Sequence, residues 1–129
     1  MVIIRVIELL AKRVLIVEND AAVRVGLQLA LEAKGYVVDA AAGGEQALVM
    51  AGAQHPDALI CDWQLEDDEL DGVDVARRVA SESRSGSSPD IVMVTARDLG
   101  ELKDLAAGLP VKVFLRKPVA LSAIFEALS

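Results

Sequence analysis

Oxygen-bearing side chains directly follow two of the most apolar short runs in the chain. One run is followed by Glu18, Asn19 and Asp20, and another is followed by Asp62. Clustered carboxylates repel one another and raise each other's pKa unless a cation lies between them. A hard divalent ion such as Mg²⁺ prefers oxygen ligands and keeps several waters, so two or three protein oxygens are sufficient. These residues predict a divalent-cation site, provided that the fold brings the ends of the two runs together.

Two further polar side chains follow other apolar runs. Thr95 ends the run IVMVT, and Lys117 comes shortly after VKVFL. A carboxylate held beside a divalent ion can act as a nucleophile toward phosphorus, because the ion and a nearby ammonium neutralise charge on the transferring phosphoryl group. We therefore predict that Asp62 accepts a phosphoryl group and that Thr95 and Lys117 hold its oxygens.

The elements that must position these side chains follow from hydrophobic periodicity. Short apolar runs predict five strands, at 13–17, 36–40, 58–61, 91–95 and 111–115. Helical spacing of apolar residues predicts helices that end near Gly35 and before Pro56, one after Gly72, a weaker one over 99–107 and one over 121–128. Strands this apolar are typical of a parallel sheet covered on both faces, and right-handed crossovers make it doubly wound. Ligands of such sheets bind beyond the carboxyl ends of the strands, where the polar residues above are placed.

Composition sets the class of protein. With 129 residues, 53% of them apolar, the chain is long enough for one domain with a real core. A net charge of -7 and a pI near 4.6 oppose direct binding to nucleic acid. No apolar run is long enough to cross a bilayer, and the N-terminus lacks a secretory signal. Cys61 is the single cysteine, which excludes an internal disulfide. We expect a soluble, cytoplasmic protein with no membrane contact.

The chain divides into an apolar N-terminal extension, residues 1–12, and a domain over 13–129. The extension begins MVIIRVIELLA, which is broken only by Arg5 and Glu8. It could be the start of a helix, a docking segment or the remnant of a longer chain. Packing against the domain is the interpretation we favour, because a contiguous exposed apolar surface is uncommon.

Taken together, the motifs resemble the receiver domain of the response-regulator family of two-component signalling. That family has acidic residues after the first strand, a phosphorylatable Asp after the third, Thr or Ser after the fourth and Lys-Pro after the fifth. The matching positions are Glu18-Asn19, Asp62 in LICDWQL, Thr95 in VMVTA and Lys117-Pro118 in FLRKPV. The likeness runs from about Arg13 to the C-terminus. Any one motif would be weak, but four in the right order are specific.

The resemblance implies a fold, a reaction and partners. The fold is a flavodoxin-like, doubly wound, five-stranded parallel sheet with about five helices and strand order 2-1-3-4-5. A histidine kinase or a histidine phosphotransfer protein donates the phosphoryl group. The resemblance also implies a bacterial origin. The chain is then a signalling phosphoacceptor, which catalyses only its own phosphorylation and slow dephosphorylation. The downstream protein is unknown, and a homodimer is left open.

The resemblance also assigns roles to single residues. Mg²⁺, or Mn²⁺ in its place, is held by Glu18, Asn19, Asp62 and the backbone carbonyl of Gln64. Thr95 and Phe114 are the switch residues. Thr95 moves toward the phosphoryl oxygens, and Phe114 turns inward. Gln64 also lies two positions after the phosphorylated Asp, where family members tune the lifetime of the phosphoryl group.

The chain departs from the family pattern at two places. Asn19 stands where a carboxylate usually binds the metal directly, so we predict weaker Mg²⁺ binding and slower phosphorylation. A shifted register would let Asp20 serve as the ligand instead, but its place before a helix favours an N-cap. The connection after Asp62 is longer than usual and carries the acidic run EDDELD, Glu66 to Asp71.

Other functions compete with this prediction. A degenerate receiver, acting as a phosphorylation-independent interaction module, follows if Asn19 has weakened the metal site. A dinucleotide-dependent dehydrogenase would need a Gly-rich turn after the first strand, which is absent. A phosphatase of the haloacid dehalogenase type would have a second Asp two residues after the first, where Gln64 stands. A stand-alone regulator and a receiver cut from a hybrid histidine kinase both remain open.

Overall fold

A computed structural model describes residues 11–65, 70–82 and 88–129 of the chain. Along these residues five strands alternate with five helices, as predicted. The elements are β1 Arg13–Val17, α1 Ala21–Ala33, β2 Val37–Ala41, α2 Gly44–Gln54, β3 Ala58–Asp62, α3 Gly72–Ser81, β4 Asp90–Thr95, α4 Leu99–Leu105, β5 Val111–Arg116 and α5 Leu121–Leu128. Residues 1–10 of the predicted extension and the acidic residues Glu66 to Glu69 lie outside the described residues. No helix within the described ranges is long and apolar enough to cross a membrane.

The strands form one parallel sheet with the order β2-β1-β3-β4-β5. This order is the one that the resemblance implies. Val17 is level with Cys61, and Asp62 is level with Val94, so the central strands end at one edge of the sheet. All five residues of β3 are buried, because β3 has a strand on each side and helices over both faces.

Side-chain alternation along the strands divides the core into two layers. One layer lies between the sheet and the pair α1 and α5, and the other lies between the sheet and α2, α3 and α4. The first contains Val14, Ile16, Leu31, Ile60, Val92 and Ile124. The second contains Leu15, Val17, Leu59, Val75, Met93 and Leu102.

The end of α1 explains why β2 starts one residue later than predicted. Gly35, with a positive φ of 97°, lets the chain turn back, so that its N–H donates to Glu32 O and the Tyr36 N–H donates to Leu31 O. This is the Schellman pattern of helix termination, for which glycine is the favoured residue. Tyr36 therefore belongs to the helix cap, and β2 begins at Val37.

Candidate functional site

Lys117 joins two carboxylates that are far from it in the sequence. Its Nζ lies 2.7 Å from Asp62 Oδ2 and 2.9 Å from Glu18 Oε1, across separations of 55 and 99 residues. Glu18 follows β1, Asp62 ends β3 and Lys117 follows β5, so the parallel sheet places all three at its carboxyl edge. Both carboxylates are buried, at 5% and 7% exposure, whereas about a third of the Lys117 side chain, 32%, is exposed. The structure thus brings together three of the predicted site residues.

The charges of this cluster do not balance, because two carboxylates face one ammonium. Burial raises the pKa of Asp62, and the neighbouring Glu18 raises it further, while the hydrogen bond from Lys117 opposes both. Burial by itself would lower the pKa of Lys117, but its hydrogen bonds to Asp62 and Glu18 outweigh that effect, and the pKa is raised. A surplus negative charge makes both groups hold their protons more tightly, and it favours an added cation.

An open cavity of about 710 Å³ lies beside Asp62. Asn19, Gln64, Asp71, Arg97 and Lys117 contribute polar groups to its lining. The second oxygen of Asp62, Oδ1, accepts a hydrogen bond of 3.1 Å from the backbone N–H of Gln64. The cavity gives small molecules and ions access to the carboxylate.

The donor atoms at this cavity suit a hard divalent cation. Asp62 supplies a carboxylate and Asn19 an amide at the lining. Glu18 lies outside the lining, but it shares the Lys117 ammonium with Asp62. No group of three His, Cys, Asp or Glu side chains forms a metal site in the part of the chain that the structure describes. Two carboxylates and an amide still meet the requirement of Mg²⁺ for two or three protein oxygens, so the residues present fit this ion.

Asp20 is used as a helix cap. Its Oδ1 accepts hydrogen bonds from the backbone N–H groups of Ala22 and Val23, at 2.9 and 3.1 Å, and its side chain is exposed. The expected capping role is confirmed. Its backbone N–H also donates to Glu18 Oε2 at 3.3 Å, which helps to orient that carboxylate.

Arg24 is a site residue that sequence reasoning missed. Its Nη1 donates to the carbonyl oxygens of Glu18 and Asn19, at 2.8 and 3.3 Å. The guanidinium therefore holds the backbone of the residues that follow β1. The sequence shows only an arginine near the start of α1. The direction in which its side chain points depends on how α1 packs on the sheet.

Thr95 ends β4 next to Lys117, and Phe114 lies in β5 level with Met93. Thr95 is 1% exposed, and its Oγ1 accepts a hydrogen bond from the Arg97 N–H at 3.0 Å. The Lys117 N–H donates to Thr95 O at 2.7 Å, which ties the lysine to the end of β4. Phe114 is half-buried and packs against the core layer under α2, α3 and α4.

The residues flanking Asp62 are structural. Cys61 is buried, and its thiol contacts the carbonyl oxygens of Asp62 and Gly72. Burial raises the pKa of this thiol, so it is unreactive. Trp63 is buried in the core layer under α3, and its backbone N–H donates to Val94 O at 2.8 Å. The phosphoacceptor candidate is thus held by packed neighbours on both sides.

Comparison with known proteins agrees with this fold. A family model described as the response regulator receiver domain matches residues 14–129. The chain therefore belongs to the receiver-domain family of two-component response regulators.

Individual relatives support the assignment. Response regulator MprA of Mycobacterium ulcerans (strain Agy99) is 37% identical over 114 residues, which are 87% of this chain and 46% of that protein. The chain thus spans about half the length of the curated relatives that it matches.

Solved structures show the same architecture. The signal receiver domain of a modulated diguanylate cyclase from Desulfovibrio desulfuricans G20 is 30% identical with a TM-score of 0.78, covering 92% of this chain and 90% of that one. A CheY-like receiver domain protein from Methanospirillum hungatei JF-1 is 24% identical and superimposes with a TM-score of 0.81, again over 92% and 90% of the two chains. At that identity the second likeness concerns the fold alone.

Proposed function

We propose that this domain accepts a phosphoryl group on Asp62 from the phosphohistidine of a kinase or a phosphotransfer protein in the cytoplasm. The observation that carries the proposal is the bonding of Lys117 Nζ to two buried carboxylates, one of which also faces an open cavity. An oxygen of Asp62 attacks phosphorus, a P–O bond forms, and the P–N bond to the histidine breaks with its electron pair going to the imidazole. The Lys117 ammonium neutralises charge that moves onto the phosphoryl oxygens.

Mg²⁺ is the proposed cofactor, with Mn²⁺ as a substitute. The side-chain oxygens of Glu18, Asn19 and Asp62, with the backbone carbonyl of Gln64, would hold it, and Asp20 is left out because it caps α1. The ion supplies positive charge that offsets the charge of the phosphoryl group. Because Asn19 is neutral where the family usually has a carboxylate, we expect weaker ion binding and slower phosphorylation than in a receiver with that carboxylate.

Phosphorylation would switch the surface through Thr95 and Phe114. The Thr95 hydroxyl oxygen accepts the Arg97 N–H, which leaves the hydroxyl proton free to donate to a phosphoryl oxygen. Phe114 is only half-buried, so it can turn further inward when Thr95 moves. The changed face of α4, β5 and α5 would then bind the downstream protein, as expected for a local charge event that biases a two-state surface.

A second candidate is a receiver that acts without phosphorylation. Lys117 already compensates much of the carboxylate charge, and Asn19 adds none, so the cluster depends less on a cation than an all-carboxylate site would. In this case the domain is an interaction module, and Asp62 serves to hold Lys117.

Mass spectrometry after incubation with acetyl phosphate, with and without Mg²⁺, tests the proposal. We expect the wild type to gain one phosphoryl group only with Mg²⁺, Asp62→Ala to gain none, and Asn19→Asp to be labelled faster. Asp104→Asn, which removes an exposed carboxylate from α4, is the matched control and should be labelled like the wild type. An unlabelled wild type with intact circular dichroism would favour the interaction module instead.

A further inference from the structure

The loop between β1 and α1 carries two of the proposed cation ligands, and the two are held in different ways. The Glu18 N–H donates to Ala41 O at 3.1 Å. Both oxygens of the Glu18 carboxylate are also bonded, one to Lys117 Nζ and the other to the Asp20 N–H. The side chain of Asn19 lines the cavity and hydrogen-bonds to no other described residue. The position of the Asn19 amide therefore depends on its backbone.

Arg24 holds that backbone on both sides of the Asn19 Cα atom. Its Nη1 donates at 2.8 Å to Glu18 O, which belongs to the peptide plane before Asn19. It also donates at 3.3 Å to Asn19 O, which belongs to the peptide plane after it. Because a peptide unit is planar, the orientations of these two planes set φ and ψ of Asn19. One guanidinium nitrogen thus restrains both soft dihedral angles of this residue.

We propose that Arg24 is a positioning residue, which holds the Asn19 backbone so that the neutral amide faces the cation site beside Asp62. This inference deepens the proposed function and rests on its Mg²⁺ site. A neutral amide attracts the ion less than a carboxylate does, so its fixed orientation matters more for binding. The helix gives the guanidinium a firm base, because the Arg24 N–H donates to Asp20 O at 2.9 Å.

The charge of Arg24 and its hydrogen bonds have opposite effects on a bound cation. A guanidinium close to the site repels a divalent ion, so loss of the charge alone would tighten Mg²⁺ binding. Loss of the hydrogen bonds frees the Asn19 backbone and weakens binding, as removal of groups that orient metal ligands usually does by about tenfold or more. The sign of the change in Mg²⁺ affinity therefore distinguishes the two effects.

Nitrogen-15 relaxation in the absence of metal measures the restraint itself. We expect a backbone order parameter of about 0.85 for Asn19 in the wild type, about 0.6 in Arg24→Met and an intermediate value in Arg24→Lys, whose ammonium keeps hydrogen-bond donors. Arg78→Met is the control, because Arg78 is exposed in the last turn of α3 and its loss changes the net charge equally. An unchanged order parameter of Asn19 in Arg24→Met would overturn the proposal.

A titration with Mg²⁺, followed by the backbone amide shift of Gln64, measures the consequence. Arg24→Met should weaken Mg²⁺ binding about tenfold, and Arg78→Met should leave it unchanged. In an Asn19→Ala background Arg24→Met should have little effect, because no amide is left to position. Tighter binding in Arg24→Met, or equal weakening in both backgrounds, would contradict the proposal.

Two further outcomes are separated by the design. If Arg24→Met does not fold, Arg24→Gln takes its place, since it removes the charge and is too short to reach both carbonyl groups. A wild type that binds no Mg²⁺ would refute the metal site of the proposed function, whereas the relaxation measurement decides by itself whether Arg24 holds Asn19.

Discussion

At the scale of single residues, the site contains two buried carboxylates that lower the stability of the fold and are available for chemistry. Asp62 and Glu18 are buried next to each other, and only one ammonium, that of Lys117, lies between them. Burial and the like charge of Glu18 raise the pKa of Asp62. A carboxyl group whose pKa is higher in the folded state than in the unfolded state binds its proton more tightly when folded.

The sign of the pH dependence follows from that shift. The contribution of Asp62 to stability is fully present below its unfolded pKa, near 3.8, and is lost as the pH rises through the higher folded value. At pH 7, well above the unfolded pKa, Asp62 therefore destabilises the fold. We predict that Asp62→Asn raises the free energy of unfolding at pH 7, and that this gain shrinks as the pH falls toward 4.

Urea unfolding at a series of pH values measures this effect. Asp104→Asn removes the same charge from an exposed position on α4 and controls for the net charge of -7. A variant Asp62→Asn that is less stable than the wild type at pH 7 would show that the bond to Lys117 outweighs burial.

At the scale of secondary-structure elements, the junction of β3 and α3 fixes Asp62. The Asp71 side chain caps α3 by accepting the Asp74 N–H, and the Asp74 carboxylate accepts the Asp71 N–H in turn, so the two form a capping box. The Gly72 N–H donates to Trp63 O at 2.8 Å. A Cβ atom on Gly72 would overlap the carbonyl oxygen of Asp62 and come within 2.8 Å of Trp63 Cα. The helix can start this close to the phosphoacceptor only because Gly72 lacks a side chain.

We therefore predict that Gly72→Ala destabilises the protein by about 3 kcal/mol, because the backbone around Asp62 has to move. Gly52→Ala is the control, since a Cβ atom there meets nothing within 4 Å and α2 gains helix propensity. It should stabilise the protein by about 1 kcal/mol. Thermal unfolding measures both, and equal effects would contradict the close approach at Gly72.

Substitutions of Asp20, at the start of α1, distinguish a capping role from a metal-binding role. Asp20→Ala should destabilise the protein by about 1 kcal/mol, since the N–H groups of Ala22 and Val23 lose their acceptor. Asp20→Ser keeps a capping oxygen and removes the carboxylate, so it should retain the stability of the wild type. If Asp20 is only a cap, acetyl phosphate labelling of the Ser variant has the Mg²⁺ dependence of the wild type. A higher Mg²⁺ requirement in that variant would return Asp20 to the ligand set.

At the scale of the whole molecule, the doubly wound sheet makes its centre rigid and its edges more accessible. β1, β3 and β4 are paired on both sides and are almost entirely buried, whereas β2 and β5 are edge strands with mostly half-buried residues. Two of the cluster residues, Glu18 and Asp62, adjoin central strands, and Lys117 follows an edge strand. The carboxylates are thus anchored in the most stable part of the sheet.

Hydrogen exchange followed by NMR should show this difference. We predict that the amides of β1, β3 and β4 exchange last, through global unfolding, and that those of β2 and β5 exchange earlier through local opening. Equal protection of all five strands would mean that the sheet opens only as one unit.

The sequence by itself determined the order of the elements and the residues that end the strands. Short continuous apolar runs and a hydrophobic period of about 3.6 are local properties, so the five strands and five helices along the described residues could be predicted with bounds close to those observed. The apolar run that contains Tyr36 predicts that this residue belongs to β2. The hydrogen bond from Tyr36 to Leu31 that assigns it to the cap of α1 depends on the turn at Gly35.

Only the tertiary structure decided which of the polar residues touch. The bridge from Lys117 to Glu18 and Asp62 depends on distances between parts of the chain that are remote in sequence. The direction in which the Arg24 side chain points and the need for glycine at position 72 depend on how helices pack on the sheet. No local pattern encodes such distances, because they arise when parallel strands align and the helices pack on them. For the same reason, the sequence identifies Glu18 and Asp62 as site residues but does not show that both accept a hydrogen bond from the Lys117 ammonium.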